Sequence, residues 1–345
     1  MNEAQPLLSI CIPTYNRAEL LKQCLESITT EAKPYSNMVE IIVSNNCSTD
    51  HTSQVIVDYL KFENINYHEQ PKNLGGTGNI DYLIRHLARG EFCWIIGDDD
   101  LLRIGAVAKV LSIIENNNYD FIFVNHSYEW NRNFNEIAEI THQKLDDIKS
   151  PLCSVYEDKV VERWEDIISL SDTPALYTSI VSSIFRKNTW SHICLPEFNH
   201  LEKQFPSLEA TFPHTYILAK HNVGKPCYFI GFPYVAFFIG SQEWLSEWNF
   251  LLLKYVLELS DLFESLGARK SMVKKYRETV FKNSQHNYLN VLLVENRSLG
   301  IFVKHLIKYC KYSEYWKMLI INIKLNVNLR SHAKKALARL AKRKT

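Results

Sequence analysis

A Cys-x-x-Cys spacing is missing from this chain. Its eight cysteines (Cys11, Cys24, Cys47, Cys93, Cys153, Cys194, Cys227 and Cys310) are scattered. That argues against a zinc cluster or a disulfide framework and fits free thiols in a reducing cytosol. The opening residues, MNEAQPLLSI, have neither the basic start nor the long apolar core of a signal peptide, so no leader is expected. A continuous apolar run long enough to span a bilayer is also lacking. The best candidate, residues 226–242, is interrupted by Pro226, Gly231, Pro233 and Gly240, and reads as aromatic-rich strands and turns. There is no internal repeat and no low-complexity linker. No Gly-x-Ser-x-Gly nucleophile elbow is present. The one glycine-rich loop, L-G-G-T-G-N-I (74–80), lacks both the Gly-Lys-Ser/Thr of a P-loop and the third glycine of a dinucleotide fingerprint. Proline does not recur after Pro233, which leaves the last hundred residues free to be helical.

What is present is a chain of 345 residues, 46% hydrophobic, with a net charge of +1. The charge is uneven. From Gly300 onward there are 12 Lys/Arg against one acid, Glu314, while the preceding residues carry 27 Lys/Arg against 37 acids. A basic tail on an acidic body points to an anionic surface. No nucleic-acid recognition motif accompanies it, so lipid is the expected partner.

The first 125 residues alternate apolar runs with helical periods. Strands are expected at 7–13, 39–44, 65–69, 91–97 and 119–125, with helices at 17–30, after 48–52, at 77–88 and at 104–117. Repeated β-α-β units predict a mostly parallel sheet covered on both faces, an α/β fold. Polar clusters follow the first four strands: P-T-Y-N-R, S-N-N-C-S-T-D, Q-P-K-N-L-G-G and G-D-D-D. Ligands of open α/β sheets bind beyond the carboxyl ends of the strands, so these clusters predict the site. A further strand is expected at 178–186. The expected division is an α/β domain over 1–245, with a ligand-binding half at 1–127 and an acceptor-side half at 128–245, followed by a helical basic region at 246–345.

Asp98, Asp99 and Asp100 stand together behind the apolar run W-I-I. Three adjacent carboxylates repel one another. A divalent cation with hard oxygen ligands, Mg²⁺ or Mn²⁺, would remove that repulsion and hold a diphosphate. The alternative is an acidic cap on the following helix.

Residues 7–28, 40–50, 73–80 and 89–102 together resemble the inverting family 2 glycosyltransferases, and within that family the branch of abequosyltransferases and other O-antigen sugar transferases. The resemblance implies a GT-A fold, a nucleotide-sugar donor and a divalent metal. It implies that Pro13, Thr14, Tyr15 and Arg17 form the first nucleotide loop, with Asn73, Gly75 and Gly76 beside the nucleotide. Asn45 stands where the family usually has an acid that holds the base or ribose; its amide hydrogen-bonds but carries no charge. Gly97 stands at the first acid of the family's metal motif. Asp100 and then Asp98 are the implied metal ligands, and Asp98 and Asp99 face the nucleotide-sugar. An inverting transfer needs a base for the acceptor hydroxyl. Glu209 is the nearest acid to the family's position, and His214 is the second candidate. Trp190, Tyr234, Trp244 and Trp248 are candidate sugar platforms.

Residues 301–325 and 332–345 interleave apolar residues and lysines at helical spacing, the pattern of a helix lying on an anionic membrane. The resulting expectation is a cytoplasmic enzyme, peripheral to the inner face of the membrane, with a lipid-linked glycan acceptor. Its rivals are a degenerate sugar-nucleotide or glycan-binding module and, less favoured for want of a basic glycine-rich loop, a nucleotidyltransferase.

Overall fold

The structure is a computed structural model that describes residues 5–62, 64–130, 137–193, 195, 205, 207–240, 242, 246–295 and 299–325. Nine strands form one sheet: β1 (Leu8–Thr14), β2 (Val39–Asn45), β3 (Ile65–Glu69), β4 (Phe92–Ile95), β5 (Leu101–Leu102), β6 (Phe121–Glu129), β7 (Lys159–Val161), β8 (Ser183–Arg186) and β9 (Cys227–Phe238). Their order is β3-β2-β1-β4-β8-β6-β9-β5, with β7 also on β9. The first four strands are parallel neighbours, as their alternation with helices predicts. β6 is not the next neighbour of β4. The antiparallel β8 lies between them, and β9 returns parallel to β6, so the second half of the sheet is mixed. Residues 227–238 form a single long strand whose pairing with β6 shifts register between Val124 and His126.

The thirteen α-helices of the described residues are α1 (Ala18–Ala32), α2 (Thr52–Val57), α3 (Gly75–Tyr82), α4 (Ala106–Asn116), α5 (Ile137–Thr141), α6 (Lys187–Ser191), α7 (Leu208–Thr211), α8 (Pro213–Asn222), α9 (Trp248–Leu251), α10 (Leu257–Ser265), α11 (Lys270–Ser284), α12 (Leu299–Tyr309) and α13 (Ser313–Leu325). Strand side chains alternate between faces. Leu8, Ile10 and Ile12 therefore pack with Leu21, Leu25 and Ile28 of α1 and Val107, Val110 and Leu111 of α4. Cys11, Cys93, Phe121 and Phe123 point the other way, into a core shared with α8, α10 and α11. That second core runs on through Trp164, Tyr177, Phe263 and Tyr276, so the C-terminal helices share their packing with the sheet.

Among the described residues no helix is long and apolar enough to cross a membrane.

Candidate nucleotide-sugar site

The carboxyl ends of β1 and β4 meet through side chains. Thr14, the last residue of β1, donates its hydroxyl to Asp98 Oδ2 at 2.8 Å. Arg17, capping α1, reaches Asp98 Oδ1 at 3.1 Å and Asp99 Oδ2 at 3.2 Å. Asp100 is buried and takes the Phe238 backbone N–H on Oδ1 at 3.1 Å, which ties the loop to the end of β9. Gln242 donates to Asp99 Oδ2 at 3.3 Å. Burial, and then the charge on Asp99, push the Asp98 carboxyl up to about 6, against the pull of Arg17 and Thr14. The buried Cys24 thiol faces the Gly97 carbonyl and is raised by burial and by the same three aspartates.

Gly97 explains its own departure from the family pattern. A Cβ there would lie 2.6 Å from Asp100 Oδ2 and 2.8 Å from Asp99 Oδ1. The two carboxylates occupy the space that a side chain at this position would fill.

The end of β2 is a relay. Asn45 is fully buried, its Oδ1 taking the Ser48 N–H at 3.0 Å. Its Nδ2 donates to Tyr67 Oη at 2.8 Å and Ser53 Oγ at 3.2 Å, and both hydroxyls donate on to Glu69 Oε2 at 2.8 and 3.0 Å. Glu69 is the register partner of Asn45 on β3. Asn46 then clasps the glycine loop: its amide meets Asn73 Oδ1 at 2.9 Å and the Leu74 N–H at 2.8 Å. Asn73 Oδ1 also takes the Gly75 N–H at 2.7 Å, and Gly75 opens α3 at φ 70°, a conformation that favours glycine. A Cβ on Gly76 would meet open space. Pro13 is half-buried and Tyr15 exposed at the same edge.

Glu209 lies half-buried in the first turn of α7, whose N-cap is Ser207. Thr77 of α3 donates to the Ala210 carbonyl at 2.6 Å, which draws this short helix against the glycine loop. His214 is buried, with Nε2 on the Thr178 carbonyl at 3.1 Å, and burial lowers its pKa to about 4. Of the aromatic candidates, Trp190 is core: it stacks on Phe185 and its indole N–H meets Asp81 at 2.8 Å. Tyr234 and Trp248 are partly buried, and Trp244 lies outside the described residues.

Sequence reading missed Ser53, Tyr67, Glu69 and Asn46. Asn46 and Glu69 stand at strand ends, but Tyr67 lies within β3 and Ser53 in α2, so nothing local groups the four: a hydroxyl near a carboxylate gains meaning only when distant segments meet.

No group of three or more His, Cys, Asp or Glu is gathered as a metal cage among the described residues. Asp98 and Asp100 nevertheless fit a hard cation in charge and donor type, one that takes its remaining oxygens from phosphate and water.

Residues 9–160 match the model of Glycosyl transferase family 2. The abequosyltransferase RfbV of Salmonella typhimurium is 38% identical over 111 residues, 32% of this chain and 33% of that protein. The GalNAc(5)-diNAcBac-PP-undecaprenol beta-1,3-glucosyltransferase of Campylobacter jejuni is 33% identical over 127 residues, 35% of this chain and 38% of that protein. The matches thus span about a third of the length of these relatives. The crystal structure of Staphylococcus aureus TarS 1-349 superposes with a TM-score of 0.59 at 16% identity, covering 91% of this chain and 90% of that one. The fold is therefore GT-A-like.

Proposed function

We propose that the chain, whose residues 9–160 match the model of glycosyl transferase family 2, is a metal-dependent, inverting glycosyltransferase that moves a sugar from a nucleotide-sugar to a surface-glycan acceptor. The observation that carries the reading is the convergence of Thr14, Arg17, Asp98 and Asp99 at the carboxyl edge of the sheet, with Asp100 beside them. Arg17 and the Thr14 hydroxyl hold the aspartates of this turn in place. The loop at Asn73–Gly75, clasped by Asn46, lines the nucleotide. Asp100, with Asp98, would hold Mg²⁺ or Mn²⁺, which supplies charge neutralisation to the leaving diphosphate.

We assign the base to Glu209. It is a carboxylate on a helix drawn against the glycine loop, whereas His214 spends Nε2 on a backbone carbonyl and its lowered pKa makes it a poor proton acceptor near neutrality. The acceptor hydroxyl loses its proton to Glu209 and attacks the anomeric carbon in one displacement, which inverts it. The acceptor is a lipid-linked glycan, a reading supported by the basic C-terminal helices and by the lipid-linked substrate in the name of the Campylobacter relative. The protein then works at the inner face of the cell membrane.

The test is donor hydrolysis. The protein is incubated with a panel of nucleotide-sugars and Mn²⁺, and released nucleotide is measured. One donor is expected to be cleaved, and Asp100→Ala to abolish the release. No release from any donor, with nucleotide binding intact, would favour an inert sugar-nucleotide-binding module instead.

A further inference from the structure

Helices α12 and α13 are mounted with apolar residues outward. Leu299, Val303 and Ile307 recur every four residues along α12 and share one face; Trp316, Ile320 and Ile323, four and then three residues apart, share one face of α13. All six are between 43% and 73% exposed. Of the thirteen large apolar side chains that are exposed among the described residues, these six fall within two adjacent helices, and the rest are scattered along the chain. The stripes meet at the helix junction: the Trp316 indole N–H donates to the Cys310 carbonyl at 2.6 Å, one turn beyond Ile307.

Their orientation is held by packing of Tyr309, Tyr315 and Met318 into the core and by polar ties away from the stripes, two at the surface and the rest buried. Lys304 pairs with Glu258 at 2.8 Å and Lys308 with Asp261 at 2.6 Å, both on α10. Buried His305 meets Tyr288 Oη at 3.0 Å, and that hydroxyl meets Tyr315 Oη at 3.0 Å. Asn322 of α13 donates to the Gln285 carbonyl at 2.6 Å. Rolling either helix to hide its stripe would break these ties.

We propose that this outward face of α12 and α13 docks on an anionic lipid surface. The charge selects the occupant. Residues 299–325 carry five lysines and one acid, and residues 326–345 carry seven Lys/Arg and no acid. Lys311, Lys317 and Lys324 are exposed near the stripe. A second copy would set these lysines against the same lysines across a two-fold interface, and the chain's own basic end would do likewise. A leaflet of anionic headgroups takes the lysines at phosphate level and the apolar side chains at the acyl boundary. The proposal locates the membrane contact of the lipid-linked reading above, but vesicle binding needs no transfer reaction.

The experiment is flotation of the full chain with phosphatidylcholine vesicles, with and without phosphatidylglycerol. The protein is expected to float only with the anionic vesicles. The triple variant Val303→Asn, Ile307→Asn, Ile320→Asn removes no charge and alters only exposed positions; its bound fraction should fall at least about ten-fold, with unchanged circular dichroism. Flotation of the triple variant at the wild-type level overturns the proposal, as does failure of the wild type to float. A self-association seen by sedimentation and abolished by the triple variant, without vesicle binding, would assign the face to a second copy and also overturn it. Flotation by a protein that cleaves no donor would leave the docking face standing while the transferase reading fell.

Discussion

At the scale of single residues, Asn45 shows how one amide orders a site. Its Nδ2 can only donate, so Tyr67 and Ser53 accept from it and pass their own protons to Glu69. An aspartate here would reverse the relay: both hydroxyls would turn toward position 45, and Glu69 would lose two donors while facing a second carboxylate. Asn45→Asp should therefore cost about 1–3 kcal/mol, measured by urea unfolding. Adding Glu69→Gln should recover a large part of that loss, because an amide at 69 can donate back. A double-mutant cycle with no coupling would refute the relay. The proposed base belongs to the same scale. Glu209→Gln should lower kcat by about 10²–10⁴-fold, the range for general base catalysis, while titration calorimetry shows nucleotide binding unchanged. A kcat within a few-fold of wild type would move the base elsewhere.

At the scale of elements, the aspartate turn stands on a scaffold that holds it from behind. Arg103, immediately after β5, is almost fully buried and spans three segments: the Pro233 carbonyl at 2.8 Å, Ser127 and Glu129 of β6 at 2.9 and 2.8 Å, and Gln143 at 2.7 Å. The arrangement pins β5 and the start of α4 to β6 and β9. Arg103→Ala would strand Glu129 and three other acceptors, so a loss of about 3 kcal/mol is expected, seen as a lower urea midpoint. Donor hydrolysis should fall with it, since Asp100 is one strand-step away. The extent of α1, of α4 and of the first four strands was legible from apolar periodicity, to within two residues at each end, whereas α3 stops at Tyr82, six residues before the expected end at 88. The insertion of β8 between β4 and β6 was not. A strand that is buried on both faces has the same composition whichever neighbour it takes, and antiparallel pairing leaves no local mark.

At the scale of the whole molecule, three imidazoles are held neutral in the interior. Burial lowers His126 to about 3, with Arg103 adding to it, and lowers His214 to about 4; burial, Lys304 and Lys308 lower His305 to about 4. In the unfolded chain each protonates near 6.5. Between that value and their folded values the unfolded state binds more protons, so stability is complete above about pH 6.5 and is lost as pH falls. Each fully differing histidine contributes a slope of about 1.4 kcal/mol per pH unit. Asp98, raised to about 6, has the opposite sign: its folded form keeps a proton between about pH 4 and 6 and offsets one of the three. A net slope of up to about 3 kcal/mol per pH unit is expected from pH 6 toward 4. Urea midpoints at pH 7.5, 6 and 5 check it; a midpoint that is flat or rises on acidification would refute this accounting.

The sequence by itself determined the four parallel strands of the first half, the polar clusters beyond their carboxyl ends, and the aspartate turn among those clusters. These follow from local periodicity and from polar residues placed at strand ends, which survive any choice of distant neighbour. Only the tertiary structure decided the rest. It set Asn45 into a relay that ends on Glu69, filled the space over Gly97 with two carboxylates, buried Trp190, which had been a sugar-platform candidate, and turned the apolar face of the C-terminal helices outward. Each of these depends on which residues from distant parts of the chain meet. An amphipathic pattern states that a helix has two faces. Which face looks out is decided by the core that takes the other, here Phe281 and its neighbours, against which Tyr309 of α12 and Tyr315 of α13 pack.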